Sequence, residues 1–269
     1  MKTGFLQFAV RQHDYTANLT YIRDHLQGAN FDLLVLPELL TSGYLFENRD
    51  QLMAFAKKHT LEQTVADLQS ILQDQSHSGA LIGTIPEVVD GRIYNTGIAV
   101  SRDGLLGKQR KRHLTRLEKD YFDPGNTIAV FDIKGIKTGI VTCFDAWFPE
   151  LFRLLVRRGV QVICQPANFG GPWTLDIMRV RAMENRVFCI VANRTGREEA
   201  GGIVAEFRGE SQIIDSNGEI LIRAEKEGQL SLVDIAPSKA LNKGNVMCDD
   251  LAAEWSRYEV EERIENPED

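Results

Sequence analysis

The chain has 269 residues, and its 31 basic and 38 acidic side chains give a formal net charge of −7. Hydrophobic residues make up 43% and charged residues 26%, which is typical of a folded globular protein and excludes a disordered chain. The acidic balance disfavours a nucleic-acid-binding protein, because such binding depends on Lys and Arg that neutralise phosphates. No apolar run approaches the ~20 residues that cross a bilayer, so we expect no membrane contact.

The first residues contain one cation and no long apolar stretch, which is typical of a first strand rather than of a signal peptide. This predicts a cytoplasmic protein. The four cysteines form no Cys-x-x-Cys pair and are too sparse for a disulfide scaffold, which favours reduced thiols.

Strands and helices alternate along the first half of the chain. Leu19, Ile22 and Leu26 follow the 3.6-residue period of a helix, which predicts a helix over 16–26, and the same period predicts another over 61–72. The predicted strands of this half are 4–10, 31–37, 80–85 and 93–100, with a hairpin turn at Asp103-Gly104 after the last of them.

The second half continues the alternation with two more hairpins, at Lys134-Gly135 and Asn217-Gly218. Pro149 at a first helical position and Gly159 just past the end predict a helix over 149–158, and a second helix is predicted over 175–186. The predicted strands of this half are 128–133, 136–142, 160–164, 187–192, 211–214, 220–222 and 230–235.

These elements predict one α/β domain over residues 1–258, a mixed sheet arrangement with the helices outside. Residues 259–269 are highly charged, and we expect them to form a frayed tail.

Two polar residues follow predicted strands, where α/β folds place their ligand sites. Glu38 follows the apolar run 31–37, although a solvated loop glutamate is the simpler interpretation. Cys143 follows another strand, and a thiol in such a turn is activated by backbone N–H groups and nearby charge. The alternative for a free cysteine is a small buried apolar residue, which Cys164 and Cys189 fit better because both lie within apolar strands.

A basic run over 108–113 precedes Glu118. A nucleic-acid site would need aromatic residues between the cations or further basic segments, and neither is present. The run therefore predicts a solvated basic strand face with one lysine turned inward.

Several common signatures are missing from the sequence. There is no G-x-G-x-x-G, no Walker A sequence and no G-x-S-x-G, which disfavours nucleotide cofactors and a serine hydrolase elbow. The five histidines are far apart in the sequence and form no H-x-x-x-H pair. We therefore expect neither an organic cofactor nor a bound metal ion.

Three motifs, in order along the chain, resemble those of the nitrilase superfamily of carbon–nitrogen hydrolases. They are Glu38 in Leu-Pro-Glu, Lys111 in Lys-x-His-Leu, and Cys143 followed by Phe-Asp. The resemblance extends from Leu6-Gln7 to the segments 181–186 and 191–196, and it is closest to the short amidase-like members. It implies a four-layer α-β-β-α sandwich.

The resemblance also implies a set of roles. Cys143 is the nucleophile, and Glu38 takes the thiol proton and later activates water to hydrolyse a thioester. Lys111 stabilises the oxyanion together with the backbone N–H of Phe144, and Glu118 matches a second family glutamate that orients Lys111 or the substrate.

The substrate is less clear from the sequence. The ω-amidase-like members commonly carry an arginine between the Asp and the Phe-Pro-Glu, where this chain has Ala146-Trp147, which disfavours a dicarboxylic monoamide. We expect a small amide or N-carbamoyl compound as substrate, with Tyr44 and Trp147 lining a pocket or simply belonging to the core. A true nitrilase and a non-catalytic scaffold of the same fold stay open as alternatives.

The two helices after Cys143 predict a homodimer or a higher homo-oligomer. Helices 149–158 and 175–186 are apolar over more than the ~100° stripe that one sheet needs, and members of the family typically pair through these two helices. The alternative is that the additional apolar residues pack within one chain.

Overall fold

The structure, a computed structural model, describes residues 1–260, with side chains through Trp255. Its strands are β1 (Lys2–Gln7), β2 (Leu33–Val35), β3 (Ala80–Val89), β4 (Arg92–Ser101), β5 (Gly104–Arg110), β6 (Phe131–Ile133), β7 (Ile136–Ile140), β8 (Val162–Ala167), β9 (Phe188–Asn193), β10 (Thr195–Ala200), β11 (Ile203–Arg208), β12 (Gln212–Ile214), β13 (Ile220–Arg223) and β14 (Gln229–Asp234). Its helices are α1 (Tyr15–Leu26), α2 (Arg49–Lys58), α3 (Leu61–Asp74), α4 (Pro149–Arg157), α5 (Trp173–Asn185) and α6 (Leu251–Val260).

The helix ends follow local capping chemistry. The Asp14 side chain accepts a hydrogen bond from the backbone N–H of Ala17 at the start of α1, and Thr60 caps α3 in the same way. Helix α4 begins at Pro149, whose ring fixes φ and whose missing N–H would have no partner in the first turn.

Two six-stranded sheets carry the fold. The first has the order β14-β1-β2-β3-β4-β5, and the second has the order β13-β12-β9-β8-β7-β6. Strands β1, β2 and β3 are parallel to one another, and so are β7, β8 and β9, while the outer strands add antiparallel pairs. Each sheet therefore has a parallel centre whose strand ends point to one edge.

The two sheets pack face to face. Phe5 and Ile82 of the first sheet share one buried cluster with Val162 and Cys164 of the second. Because side chains alternate along a strand, Ile163 points to the opposite face of the second sheet, where it packs with α4 and α5. Helices α1 and α3 cover the outer face of the first sheet. This arrangement confirms the predicted four-layer α-β-β-α sandwich.

Most predicted elements lie within a few residues of their expected positions, but helix α2, hairpin β10–β11 and helix α6 were not predicted. Hairpin β10–β11 was missed because the polar segment Thr195–Ala200 has no apolar alternation, whereas helix α2 was overlooked although Leu52, Phe55 and Ala56 follow the helical spacing. Helix α6 runs from Leu251 to Val260, and the remaining residues of the predicted frayed tail lie outside the described residues. Within the described part of the chain, no helix has the length and hydropathy of a membrane span.

Candidate active site

The site forms where strand ends of both sheets meet. Glu38 follows β2, and the backbone N–H of Leu36 still pairs with the carbonyl of Ile82 on β3. Cys143 follows β7 and begins a short 3₁₀ helix (Cys143–Trp147). Lys111 follows β5, and its backbone N–H donates to the carbonyl of Asn95 at 2.8 Å.

Lys111 bridges two buried carboxylates. Its Nζ donates to Glu38 Oε1 at 2.8 Å and to Glu118 Oε1 at 2.5 Å. The three side chains are at most 1% exposed. The amide of Asn95 donates to the same Glu38 oxygen at 2.7 Å, and the backbone N–H of Thr115 donates to Glu118 Oε2 at 2.8 Å. These bonds fix the lysine between the two acids.

The thiol of Cys143 lies beside this charged group. It is close enough to Glu38, Lys111 and Glu118 for their charges to act on the pKa of the thiol. Burial and the negative charge of Glu38 raise the pKa of Cys143 well above its usual value, so the resting residue is a neutral thiol.

Burial shifts the pKa of both Glu38 and Lys111, and their mutual charges modify these shifts. Burial raises the pKa of Glu38 to about 6, with Lys111 opposing the shift and Glu118 adding to it. Burial alone lowers the pKa of Lys111, but the carboxylates of Glu118 and Glu38 outweigh it and hold that pKa well above its usual value. At neutral pH the site therefore holds an ammonium, an ionised Glu38 and a protonated thiol.

Several buried polar atoms around the thiol have no hydrogen-bond partner among the described residues. They are Glu38 Oε2, Asn95 Oδ1, Gln165 Oε1 and both amide atoms of Asn168. Gln165 also donates from Nε2 to the carbonyl oxygen of Cys143 at 3.0 Å. Buried polar atoms usually have hydrogen-bond partners, so these atoms mark a place where a polar ligand would supply the missing partners.

Cys143 occupies an unusual backbone conformation. Its φ of 45° lies in the left-handed region, which a non-glycine residue adopts only where its surroundings hold it there. The hydrogen bond from Gln165 to its carbonyl is one such restraint. This sharp turn projects the thiol from the end of β7 towards Glu38.

Asp145 connects the turn that carries Cys143 to the segment that carries Lys111. Its fully buried carboxylate accepts the backbone N–H of His113 at 2.8 Å and that of Arg112 at 3.4 Å. The ring Nδ1 of His113 lies 2.8 Å from the same Oδ1, and the ring stacks on Phe148 at 3.5 Å. Asp145 therefore sets the distance between the two segments.

A second buried ion pair holds the loop after Glu38. Glu198 pairs with Arg194, and its Oε2 accepts the backbone N–H groups of Tyr44 and Leu45, both at 2.8 Å. The Tyr44 hydroxyl lies 3.3 Å from Thr115 Oγ1, close enough to the site that the charge of Glu118 adds to the upward shift that burial gives its pKa. Hairpin β10–β11, which carries Glu198, thus supports the wall of the site.

A cavity of about 540 Å³ is lined by residues that neighbour Lys111, Glu118 and Cys143 in the sequence, and we call it the Phe-lined cavity. Its walls are Arg112, His113, Leu114, Lys119, Phe122, Asp123, Pro124, Phe144 and Phe148. Trp147 lies outside this lining, with 45% of its surface exposed and its Nε1 3.4 Å from Thr174 Oγ1 on α5. Among the described residues, no group of three His, Cys, Asp or Glu side chains could hold a metal ion.

The structure brings together Glu38, Lys111, Glu118 and Cys143, which the sequence motifs had singled out. Cys164 and Cys189 are fully buried within β8 and β9. The sequence reading missed the four amides and acids that surround the site, because isolated polar residues on strands and loops carry no motif; these are Asn95, Asn168, Gln165 and Glu198.

The family model for carbon-nitrogen hydrolases matches residues 3–241, which is most of the chain. The chain belongs to the carbon–nitrogen hydrolase family. This result confirms the predicted membership of the nitrilase superfamily and the prediction of a hydrolase.

Three known proteins show the range of the family. A nitrilase from Pyrococcus abyssi is 37% identical over 212 residues, which are 78% of each chain. An (R)-stereoselective amidase from a Pseudomonas species is 30% identical over 240 residues, 87% of this chain and 85% of that protein. The solved structure of an amidase mutant from Nesterenkonia sp. AN1, carrying acrylamide added at its active-site cysteine, aligns with a TM-score of 0.75. The two structures share 25% identity over 96% of this chain and 99% of that one. These relatives are named as a nitrilase and as amidases, and this protein is a carbon–nitrogen hydrolase.

Proposed function

We propose that this hydrolase cleaves the C–N bond of a small amide or N-carbamoyl compound through a thioester on Cys143. The observation that carries the proposal is the Lys111 ammonium held between Glu38 and Glu118, directly beside the Cys143 thiol. The adduct at the active-site cysteine of the Nesterenkonia amidase supports the same choice of nucleophile.

Acylation begins with the neutral thiol. Glu38 accepts the Cys143 proton as the sulfur attacks the carbonyl carbon, and its raised pKa makes it a better base than an ordinary carboxylate. The same proton then passes from Glu38 to the departing nitrogen. Ammonia leaves, and the acyl group stays on the sulfur as a thioester.

Two groups stabilise the oxyanion of the tetrahedral intermediate. The Lys111 ammonium supplies a fixed positive charge, and the backbone N–H of Phe144, the residue after the nucleophile, supplies a second donor. Glu118 keeps Lys111 charged and in place.

Deacylation uses the same groups in reverse. Glu38 takes a proton from a water molecule, the hydroxide adds to the thioester carbonyl, and Glu38 returns the proton to the departing thiolate. The acid is released and the thiol is restored. Every proton in this cycle moves through Glu38, so the proposed cycle uses no organic cofactor or metal ion.

A nitrile is the second candidate substrate, favoured by the similarity to the Pyrococcus abyssi nitrilase. Thiol addition to a nitrile would use the same three residues and would end in the same acid and ammonia, so only a comparison of substrates separates the two. We would offer one acyl chain as primary amide, N-carbamoyl amine and nitrile, and would measure released ammonia and acid. The proposal expects the amide or carbamoyl compound to react fastest. A clear preference for the nitrile would reverse the order of the candidates, and no ammonia from any of them would favour the non-catalytic scaffold.

We also propose that the protein forms a homodimer or a higher homo-oligomer through α4 and α5. Most apolar residues of these helices pack within their own chain, including Leu155 and Met178. Leu154, Val180 and Met183 stay 40%, 44% and 51% exposed and are available for a partner copy. The cytoplasmic location and the pocket role of Tyr44 and Trp147 stay predictions from the sequence.

A further inference from the structure

Arg194 and Glu198 form a buried ion pair that the proposed reaction does not use. Both side chains are 1% exposed, and the guanidinium also donates to the backbone carbonyl of Val10. Because both ions lose their hydration on burial, such a pair often adds little to the free energy of folding compared with apolar side chains of similar volume. The contacts of this pair therefore indicate its role better than its burial does.

The segment that contains this ion pair holds Tyr44 at its backbone and at its ring. Glu198 Oε2 accepts the backbone N–H of Tyr44 at 2.8 Å. The Tyr44 ring meets the ring of Phe207 on β11 edge to face, with the centroids 6.1 Å apart, and the Arg194 guanidinium lies over the Phe207 ring at 4.2 Å. Since both ends of Tyr44 are held, its hydroxyl has a fixed position.

The Tyr44 hydroxyl contacts the segment that carries Glu118. It lies 3.3 Å from Thr115 Oγ1, which also accepts the backbone N–H of Glu118 at 3.3 Å. The backbone N–H of Thr115 donates to Glu118 Oε2 at 2.8 Å, and Glu118 Oε1 accepts a hydrogen bond from Lys111. A continuous set of contacts therefore runs from hairpin β10–β11 to the buried ammonium of Lys111.

We propose that Tyr44 is a positioning residue that holds Glu118 against Lys111. It acts through the hydroxyl of Thr115, and Glu198 in turn holds Tyr44. The inference rests on the proposed function, because it concerns how the proposed catalytic lysine is held. It differs from the pocket role that the sequence leaves open for Tyr44, in which the hydroxyl would touch the substrate. Tyr44 is not among the residues that line the Phe-lined cavity.

Tyr44→Phe removes only the hydroxyl and tests the contact with Thr115. We expect kcat for amide hydrolysis at pH 7 to fall about threefold to tenfold with little change in KM. Because the charge of Glu118 raises the pKa of Glu38, a Glu118 that is free to move away should lower the pH at which the rate falls as Glu38 is protonated. In a Glu118→Gln background this charge is already absent, so Tyr44→Phe should change the rate less than about twofold and leave the pH profile in place.

The hydroxyl of Thr115 is tested separately. Thr115→Val should move the pH profile in the same direction as Tyr44→Phe, whereas Thr115→Ser, which keeps a hydroxyl, should restore most of the wild-type profile. Tyr15→Phe is the matched control, because the Tyr15 hydroxyl also lies 3.3 Å from a threonine Oγ1, that of Thr64 on α3. It should lower the melting temperature and leave the pH profile unchanged.

The ion pair is tested by Glu198→Ala, which removes the acceptor for the backbone N–H of Tyr44. We expect the same direction of shift in the pH profile as for Tyr44→Phe. We also expect a lower melting temperature, because Arg194 then stays buried without its partner.

Alkylation of Cys143 by iodoacetamide, followed by mass spectrometry across pH 5 to 8, measures the same proton transfer without hydrolysis. If the wild type hydrolyses no amide but the alkylation profile shifts in Tyr44→Phe and not in the Glu118→Gln background, the proposed function fails and the positioning role stands. An unchanged profile in Tyr44→Phe, or a shift of the same size in the Glu118→Gln background, would overturn the positioning role. A large rise in KM with an unchanged profile would assign Tyr44 to the substrate instead.

Discussion

At the scale of single residues, the central feature is a buried lysine that two carboxylates hold in its charged form. Lys111 is fully buried, and an isolated buried ammonium would favour its neutral form, yet the carboxylates of Glu38 and Glu118 hold its pKa well above the usual value. The same arrangement leaves Glu38 with a raised pKa. In the proposed mechanism, Lys111 thus supplies the positive charge and Glu38 supplies a base suited to neutral pH.

The raised pKa of Glu38 predicts an acid limb in the pH profile. Below about pH 6 this carboxyl is protonated and cannot accept the thiol proton, so kcat/KM should fall with a slope of one proton. The pKa values of Lys111 and Cys143 are both raised well above their usual values, so activity should not fall between pH 7 and 9. Initial rates across pH 5 to 9 measure both limbs.

The variant Glu118→Gln tests whether Glu38 controls this acid limb. The charge of Glu118 raises the pKa of Glu38, so its removal should move the acid limb to lower pH while reducing the rate. A limb that stays in place, or moves upward, would show that another group controls it.

The shape of the Lys111 side chain matters as much as its charge. Lys111→Arg should lower kcat/KM by about a hundredfold or more, because a planar guanidinium cannot replace a compact ammonium that contacts two carboxylates. Lys108→Arg is the control, since Lys108 pairs with Glu87 at the half-exposed end of β5. Initial rates, with a thermal melt of each variant, decide the matter: equal activity of Lys111→Arg and wild type would exclude the proposed oxyanion role.

At the scale of elements, the site depends on how two segments are joined. The turn after β7 carries Cys143, the segment after β5 carries Lys111, and Asp145 bonds the two together. Strand ends alone fix the distance between Cys143 and Lys111 only loosely. The buried carboxylate of Asp145 adds hydrogen bonds that hold the two segments at the distance that the proposed mechanism requires.

We therefore predict that Asp145→Asn displaces Lys111 relative to Cys143. One asparagine oxygen can accept the N–H of His113, but the amide NH₂ cannot accept that of Arg112. We expect kcat to fall about tenfold or more with a smaller change in KM. Because Lys111 lowers the pKa of Glu38, a displaced lysine should also move the acid limb to higher pH.

Asp215→Asn is the control for Asp145→Asn, because Asp215 also accepts backbone N–H groups, those of Asn217 and Glu219, in a distant hairpin. It should change the melting temperature without changing the acid limb. If Asp145→Asn lost only stability and kept its pH profile per folded molecule, the positioning role would be excluded.

The sequence was sufficient for the elements whose apolar period is regular and for residues that stand in motifs. Helix α1 and the turn at Lys134-Gly135 were predictable for this reason. Hairpin β10–β11 was not, since its polar strand β10 is held by tertiary contacts such as the Arg194–Glu198 pair, and helix α2 was overlooked despite the helical spacing of Leu52, Phe55 and Ala56. The left-handed φ of Cys143 likewise has no sequence signal, because it follows from the turn that joins β7 to the rest of the site.

At the scale of the whole molecule, the two sheets divide the work of the site. Glu38 and Lys111 come from the first sheet, and Cys143 comes from the second. Their relative position therefore depends on the face-to-face packing of the sheets, around Phe5, Ile82, Val162 and Cys164. Helices α4 and α5 hold the second sheet from outside, which links the proposed dimer face to the nucleophile turn.

The proposed dimer is testable through its exposed apolar residues. The double change Val180→Glu and Met183→Glu places charge on the exposed surface of α5 and should convert a dimer into a monomer of 30.3 kDa. Leu106→Glu, on the edge strand β5 with a similar exposure of 43%, is the control and should keep the wild-type mass. Light scattering at micromolar concentration gives the answer. A wild-type mass near 30.3 kDa that does not depend on concentration would contradict the dimer.

The most direct test of the account is the amide hydrolysis rate of Cys143→Ala beside Cys164→Ala, each normalised to its folded fraction. Both changes replace a buried thiol by a methyl group, but Cys143 lies at the charged site and Cys164 lies between the sheets. We predict that Cys143→Ala folds and releases no ammonia above background, whereas Cys164→Ala loses stability and keeps its rate per folded molecule. Full hydrolysis by folded Cys143→Ala would contradict the central claim that this thiol is the nucleophile.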